Sequence, residues 1–463
     1  MNPSSICSLT MLFLHAFVFL TRPRRVGFPS GKFVTRNIEI RILSISFFSK
    51  YRLLKIHFLY YNDFCRGKIM KEYVKRYVDL DRILDRKSVF LIGPRMCGKS
   101  MYAKNEVRKP VLYWNLLSNT LYYRIIRNPA LLEETLKAEN LTEGLVVIDE
   151  IQRAPQLLYT VHQFIEDTDL VFLMTGSSVR KLKTGGVNLL GGRALEKKLH
   201  PLCYPEIKDR GDYTLERIFK TGLLPEMYLY PEDADEVLAA YEGLYLETEI
   251  QLENEVNDLP GFINFLEKAA LSNGQQINFS AFASDVGVSR QAIKTWYKIL
   301  LDTFMVKEIK PYGKTKKRKE TSFSRFYFFD VGIARSLAHM TVPTETMTEY
   351  GTLFETYIAM ELVAYIDYAG IHDTDLTYYR TSDGKREVDF IIGDEIAIEV
   401  KSAKSVTDKH LANLRELKEE GIFSKYIVVA REESSRMLDD GILILPWKDF
   451  LGRLWNGDII TKQ

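Results

Sequence analysis

Four apolar runs punctuate the first half of the chain: Val89–Ile92, Val111–Trp114, Leu145–Ile148 and Leu170–Met174. Each is four or five residues long, too short for a helix; the first runs directly into Gly93, the third into Asp149, and the fourth reaches Gly176 after Thr175. That pattern predicts strands buried on both faces, the habit of a parallel sheet. Between them, Lys71–Asp85 and Asn128–Ala138 carry apolar residues at helical spacing and predict amphipathic helices. The middle of the chain predicts three helices, Gly261–Leu271, Phe279–Val286 and Ser289–Leu301, with Ser289 as the N-cap of the third. Two alternating stretches follow, Met305–Ile309 and Arg325–Phe329, as a hairpin. The last third opens on a long helix from Gly351 to about Tyr368. Strands at Leu376–Arg380, Arg386–Ile392 and Ile396–Lys401 come next, with Gly393-Asp394 as a hairpin turn joining the last two. A helix at Lys409–Glu420 and a strand at Tyr426–Ala430 complete the pattern.

The ends of the first, third and fourth runs carry chemistry. Gly93-Pro94-Arg95-Met96-Cys97-Gly98-Lys99-Ser100 follows the first strand and precedes a helix expected from Met101. The spacing GxxxxGKS is a phosphate-loop signature. Glycines at 93 and 98 permit backbone angles that turn consecutive N–H groups toward an anion. Lys99 reaches the outer phosphates, the Ser100 hydroxyl ligates Mg²⁺, and the helix dipole adds to the field. The nucleotide-binding set is therefore Gly93 through Met101. The third run ends in Asp149-Glu150. Asp149 is the second Mg²⁺ residue, and Glu150 is the general base that polarises the attacking water. The fourth run ends at Thr175-Gly176-Ser177, where Thr175 or Ser177 is placed to sense the terminal phosphate. Arg193, after Gly191-Gly192, is either an arginine finger or a structural contact to a neighbouring loop.

Composition alters this picture in one respect. The 463 residues carry a net charge of only +2, but residues 1–69 hold +9 and the remainder −7. The body is not a uniformly basic nucleic-acid binder, so any such contact must be a local patch. The segment 1–69 mixes apolar and basic residues without a period. It reads as an extension outside the working fold, with Met70 a possible true start; the rival reading is a membrane-surface anchor. Its apolar run, Leu9–Leu20, is too short to cross a bilayer comfortably. Four scattered cysteines outline neither a zinc site nor a disulfide framework, and a cytoplasmic setting is expected.

The phosphate loop, Val147-Ile148-Asp149-Glu150-Ile151-Gln152, Thr175-Gly176-Ser177-Ser178 and Gly192-Arg193 together resemble the AAA-type ATPases of bacteria and archaea that carry a C-terminal domain of uncharacterised function. Gly222-Leu223-Leu224-Pro225-Glu226 resembles that family's Gly-Gly-Phe-Pro-Glu segment, departing at Leu223. The match covers most of residues 70–435. It implies ATP and Mg²⁺ as ligands and a parallel αβα sandwich.

The organisation expected is an α/β P-loop ATPase domain at 70–250, a winged-helix region at 251–340 and a restriction-endonuclease-like α/β domain at 345–463. In the winged helix, Arg290, Gln291, Lys294 and Lys298 line the recognition helix and Lys310–Lys319 tips the wing, a layout for DNA or for protein packing. In the last domain, Asp389, Glu399 and Lys401 have the Asp…Glu-x-Lys order of a Mg²⁺ site for phosphodiester cleavage, with Glu355 as a third acid. The same residues also suit a buried polar network that cleaves nothing. Three functions remain open: an ATPase coupled to DNA or protein partners or to self-association, an ATP-regulated nuclease, and a nucleotide-gated interaction protein without useful turnover.

Overall fold

The computed structural model describes residues 72–178, 189–246, 256, 258–313, 323–371, 374–381 and 385–460. The expected extension 1–69 and the wing tip at 314–319 lie outside the described residues.

The chain enters along an irregular stretch to Leu80 and makes one short helix, α1 (Asp81–Leu84). The helix expected over 71–85 is therefore largely absent. Arg76 explains why: it is buried, its N–H is donated to Glu106, and its guanidinium bonds three backbone carbonyls. Those tertiary bonds hold the backbone away from helical pairing.

β1 (Ser88–Ile92) follows, buried at all five positions. Then come α2 (Lys99–Asn105), β2 (Leu112–Asn115), α3 (Asn119–Arg127), α4 (Leu131–Ala138), β3 (Glu143–Asp149), α5 (Leu157–Asp167), β4 (Asp169–Gly176) and β5 (Ala194–Lys198). The five strands form one parallel sheet in the order β2-β3-β4-β1-β5. The parallel α/β layer expected from the apolar runs is present, and β5, which is amphipathic rather than apolar, joins it at the edge. Because β4 lies between β1 and β3, Thr175 sits between the phosphate loop and Asp149.

Helices α6 (Tyr204–Ile207), α7 (Leu215–Thr221), α8 (Pro225–Leu229) and α9 (Ala234–Tyr245) lead to α10 (Leu259–Leu271), α11 (Phe279–Val286) and α12 (Arg290–Asp302). The Ser289 hydroxyl accepts the Ala292 N–H at 3.1 Å and caps α12, as its position predicts. β6 (Val306–Pro311) and β7 (Arg325–Phe328) pair antiparallel. After α13 (Val331–Leu337) comes α14 (Thr348–Ala369), apolar on nearly every side and correspondingly buried. β8 (Leu376–Arg380), β9 (Glu387–Ile392), β10 (Ile396–Val400), α15 (Asp408–Glu419), β11 (Lys425–Ala430), β12 (Arg436–Met437), β13 (Leu443–Pro446) and α16 (Trp447–Asn456) complete the chain. β9 and β10 pair antiparallel around Gly393, as expected.

The second sheet runs β12-β13-β11-β10-β9-β8-β6-β7, so the hairpin of the middle region is continuous with the C-terminal strands through a short parallel pairing of Lys310 and Pro311 with Thr377 and Tyr378. Packing crosses the same line. One core joins Leu80, Leu173 and Leu238 to Phe265, Trp296 and Phe328. Another joins Ile218 and Tyr228 to Phe354, Ile398 and Trp447. Among the described residues no helix is long and apolar enough to cross a membrane.

Candidate nucleotide site

Three strand ends assemble the site. The loop between β1 and α2 wraps Lys99, whose ammonium donates to the Gly93 and Pro94 carbonyls at 2.9 and 2.8 Å. Lys99 is 4% exposed, and among the described residues it has no carboxylate ion-pair partner. Gly93 has φ +155°, and a Cβ there would fall 2.2 Å from the Leu199 carbonyl oxygen, so only glycine fits. Met96, at φ 63°, also takes the left-handed region. Arg95 is half-buried and Cys97 is buried.

At the end of β3, Asp149 is fully buried. The Ser100 hydroxyl donates to its Oδ1 at 2.9 Å, the Thr175 hydroxyl to the same oxygen at 2.5 Å, and the Tyr113 hydroxyl to Oδ2 at 3.1 Å. The two expected metal residues thus stand side by side. Burial, reinforced by Asp149, raises the Tyr113 hydroxyl pKa above its ordinary value, so Tyr113 stays a donor.

Glu150 follows in the left-handed conformation, φ 63° and ψ 48°, an uncommon geometry for a residue with a Cβ. Its N–H is held by the Thr175 hydroxyl at 3.0 Å. Its Oε2 accepts from the Gln152 amide, which also donates to the Ser177 hydroxyl at 3.0 Å. Thr175 and Ser177 therefore both brace the acidic pair, Thr175 directly and Ser177 through Gln152. A cavity of about 270 Å³ opens here, bordered by Met96, Gly98, Lys99, Ser100, Met101 and Glu150. Its far wall includes Tyr73, Pro225 and Tyr230.

Arg193 is elsewhere. It directly precedes Ala194, which pairs with Ser88 at the start of β1, whereas the phosphate loop leaves from Ile92 at the other end. The separation along the strand is roughly 15 Å. Arg193 is ion-paired with Glu166 of α5. Within its own chain it does not reach the phosphate loop, and its partner lies on a helix rather than on the neighbouring loop expected.

Three residues of this site were not singled out from sequence. Arg76 bonds the Cys97 carbonyl of the loop at 2.7 Å and Glu206 at 3.0 Å. Tyr113 and Gln152 complete the shells of Asp149 and Glu150. Tyr113 and Gln152 sit in segments already read as strand and acidic motif; Arg76 had no local signal, since its carboxylate partner lies 130 residues away.

The C-terminal residues also come together. Lys401 Nζ lies 2.5 Å from Glu399 Oε1 and 3.9 Å from Asp389 Oδ2, and the Asp389 Oδ2 accepts the Val400 N–H at 2.8 Å. Glu355 joins them from α14, linked through Arg325.

A parallel sheet with a phosphate loop at the end of β1 and an acidic pair at the end of β3 is the arrangement of a P-loop nucleotide-binding domain. Residues 85–208 match the family model described as an AAA domain. Residues 213–344 and 350–450 match models described as domains of unknown function, DUF8612 and DUF4143. The comparison with curated proteins found no match. Solved structures found as similar include the ORC1 protein of Aeropyrum pernix in complex with DNA, at 13% identity over 55% of this chain and 86% of that one, with a TM-score of 0.27. Another is Can2 from Sulfobacillus thermosulfidooxidans in complex with cyclic tetra-adenylate, at 12% identity over 75% of this chain and 99% of that one, with a TM-score of 0.21. Superpositions this loose carry no argument.

Proposed function

We propose that the protein is a Mg²⁺-dependent ATPase whose nucleotide state is passed to the helical and C-terminal regions packed against its P-loop domain. The observation that carries the reading is Lys99: a buried ammonium beside a cavity that, among the described residues, contacts the Gly93 and Pro94 carbonyls and the Cys97 sulfur but no carboxylate. Burying a charge without a counter-ion is costly, and an anionic phosphate supplies the missing charge. The loop backbone, with Gly93, Met96 and Gly98 all at positive φ, can turn its N–H groups toward the same anion.

Ser100 and Asp149 would hold Mg²⁺, which neutralises phosphate charge when bound. Glu150 orients and deprotonates the attacking water at its carboxylate, with Gln152 holding that carboxylate in place. Thr175 and Ser177 keep the acidic pair aligned with the loop. Arg193, tied to Glu166 of α5, takes no part in the site of its own chain.

Phosphate release from MgATP tests the reading. Glu150→Gln lowers kcat by about 10²- to 10⁴-fold while nucleotide still binds. A folded wild-type protein that binds ATP but releases no phosphate would instead be a nucleotide-gated switch.

The partner side of the proposal rests on α12. Arg290, Gln291, Lys294 and Lys298 are all exposed on it, a face suited to duplex DNA. Binding there weakens steeply as salt rises, because each phosphate contact releases counter-ions. Absence of duplex binding at low salt removes DNA as the partner. The C-terminal carboxylates do not enter this reading, because a guanidinium already lies among them.

A further inference from the structure

Arg325, the first residue of β7, is 3% exposed and points into the C-terminal acidic cluster. Its guanidinium bonds Glu355 Oε1 at 3.2 Å, pairs with Glu387, and lies 3.9 Å from Asp389 Oδ1. Its other face stacks on Tyr378, 4.6 Å from the ring centroid. The Tyr327 hydroxyl accepts from Arg325 at 3.1 Å and donates to Glu355 at 2.6 Å, fixing both. On the far side Lys401 neutralises Glu399 through one oxygen. The other oxygen, Glu399 Oε2, is buried and has no partner.

Asp389, Glu399, Lys401 and Glu355 have the residue types of a divalent-cation site, and the unpartnered Glu399 oxygen is a vacant acceptor inside it. Yet among the described residues no three His, Cys, Asp or Glu side chains converge on one metal position. The guanidinium spreads Glu355, Glu387 and Asp389 around itself instead. Arginine cannot lose its proton in a protein, so this charge is permanent. It is also tethered, which gives it an advantage over any dissolved ion.

We propose that Arg325 is the resident cation of this cluster: its guanidinium stands where a divalent metal ion would bind, so the intact chain takes no metal there, and removing the guanidinium opens the site. The residues that look like a metal centre in sequence are on this account an ion-pair junction that fastens β7 to α14 and β9.

Titration of the full-length, nucleotide-free chain with Mn²⁺, read by the electron paramagnetic resonance of the free ion, tests this. Wild type and Arg325→Lys are expected to bind no Mn²⁺ at the cluster. Arg325→Leu gains one site, at least tenfold tighter than any in wild type, and the site is lost again in Arg325→Leu with Glu399→Gln. Arg325→Gln, which keeps a polar head without the charge, gains the same site and serves if the leucine variant does not fold. Mn²⁺ binding by wild type that disappears in Asp389→Asn overturns the proposal, as does a folded Arg325→Leu or Arg325→Gln with no gained site.

Discussion

Lys99 has its charge inside the protein and its hydrogen bonds satisfied, but by neutral carbonyls. Removing it therefore deletes more function than stability: Lys99→Ala should lose nucleotide binding while unfolding at a similar temperature. Gln152 is a finer probe. It does not itself line the cavity, but its amide bonds both the Glu150 carboxylate, which does, and the Ser177 hydroxyl. A hydrogen bond to a charged group is worth about 1.5 kcal/mol or more. Gln152→Ala should thus lower kcat on the order of tenfold, with little change in KM, in steady-state phosphate release. A KM effect with unchanged kcat would place Gln152 in binding instead.

Among the elements, the segment after α7 links the nucleotide cavity to the rest. Asp330, at the start of α13, accepts the Leu223 N–H at 2.6 Å and the Ile333 N–H at 3.0 Å. A Cβ on Gly222, at φ +69°, would fall 2.1 Å from the Asp330 carboxylate, which explains the glycine there. Three residues later Pro225 begins α8 and borders the cavity. Asp330→Ala orphans two buried donors and should cost roughly 2–4 kcal/mol, measured by urea unfolding, and should weaken ATP binding through the displaced α8. Unchanged stability would contradict the clamp.

This clamp shows where sequence reading stops. The β1 and β3 runs with their loop and acids were legible because strand, turn and chemistry are contiguous. The C-terminal hairpin was legible for the same reason, through its alternation and Gly393. The segment 71–85 has helical periodicity but is mostly irregular where described, because periodicity cannot register a buried arginine bonded to residues 124 and 130 positions away. Arg325 was likewise invisible as a cluster member: its partners arrive from α14 and β9, and only the tertiary fold selects them.

At the scale of the molecule, buried carboxyls dominate the pH response. Burial pushes Asp330 up to about 6, Glu355 up to about 7, and Glu361 and Glu399 up to about 8. In the unfolded chain such groups ionise near pH 4. Between those limits the native state binds more protons than the unfolded state, so stability falls as pH rises. The melting temperature should be highest near pH 5 and decline toward pH 8, with Glu361→Gln, at the junction of Trp455 and Tyr204, flattening part of the slope. A melting temperature that rises over this range would contradict the assignment. One core runs from Leu91 and Leu173 of the P-loop sheet to Phe326 and Phe328 of β7 in the second sheet, and the proposed coupling would pass through it.

The central claim is that the cavity beside Lys99 takes a magnesium nucleotide. Calorimetric titration of the full-length protein with Mg²⁺ and a non-hydrolysable ATP analogue tests it most directly. The account predicts one site per chain, and none in a Lys99→Ala protein of similar melting temperature. A folded wild-type protein that gives no heat of binding and no rise in melting temperature with the analogue, or a Lys99→Ala protein that binds equally well, would contradict it.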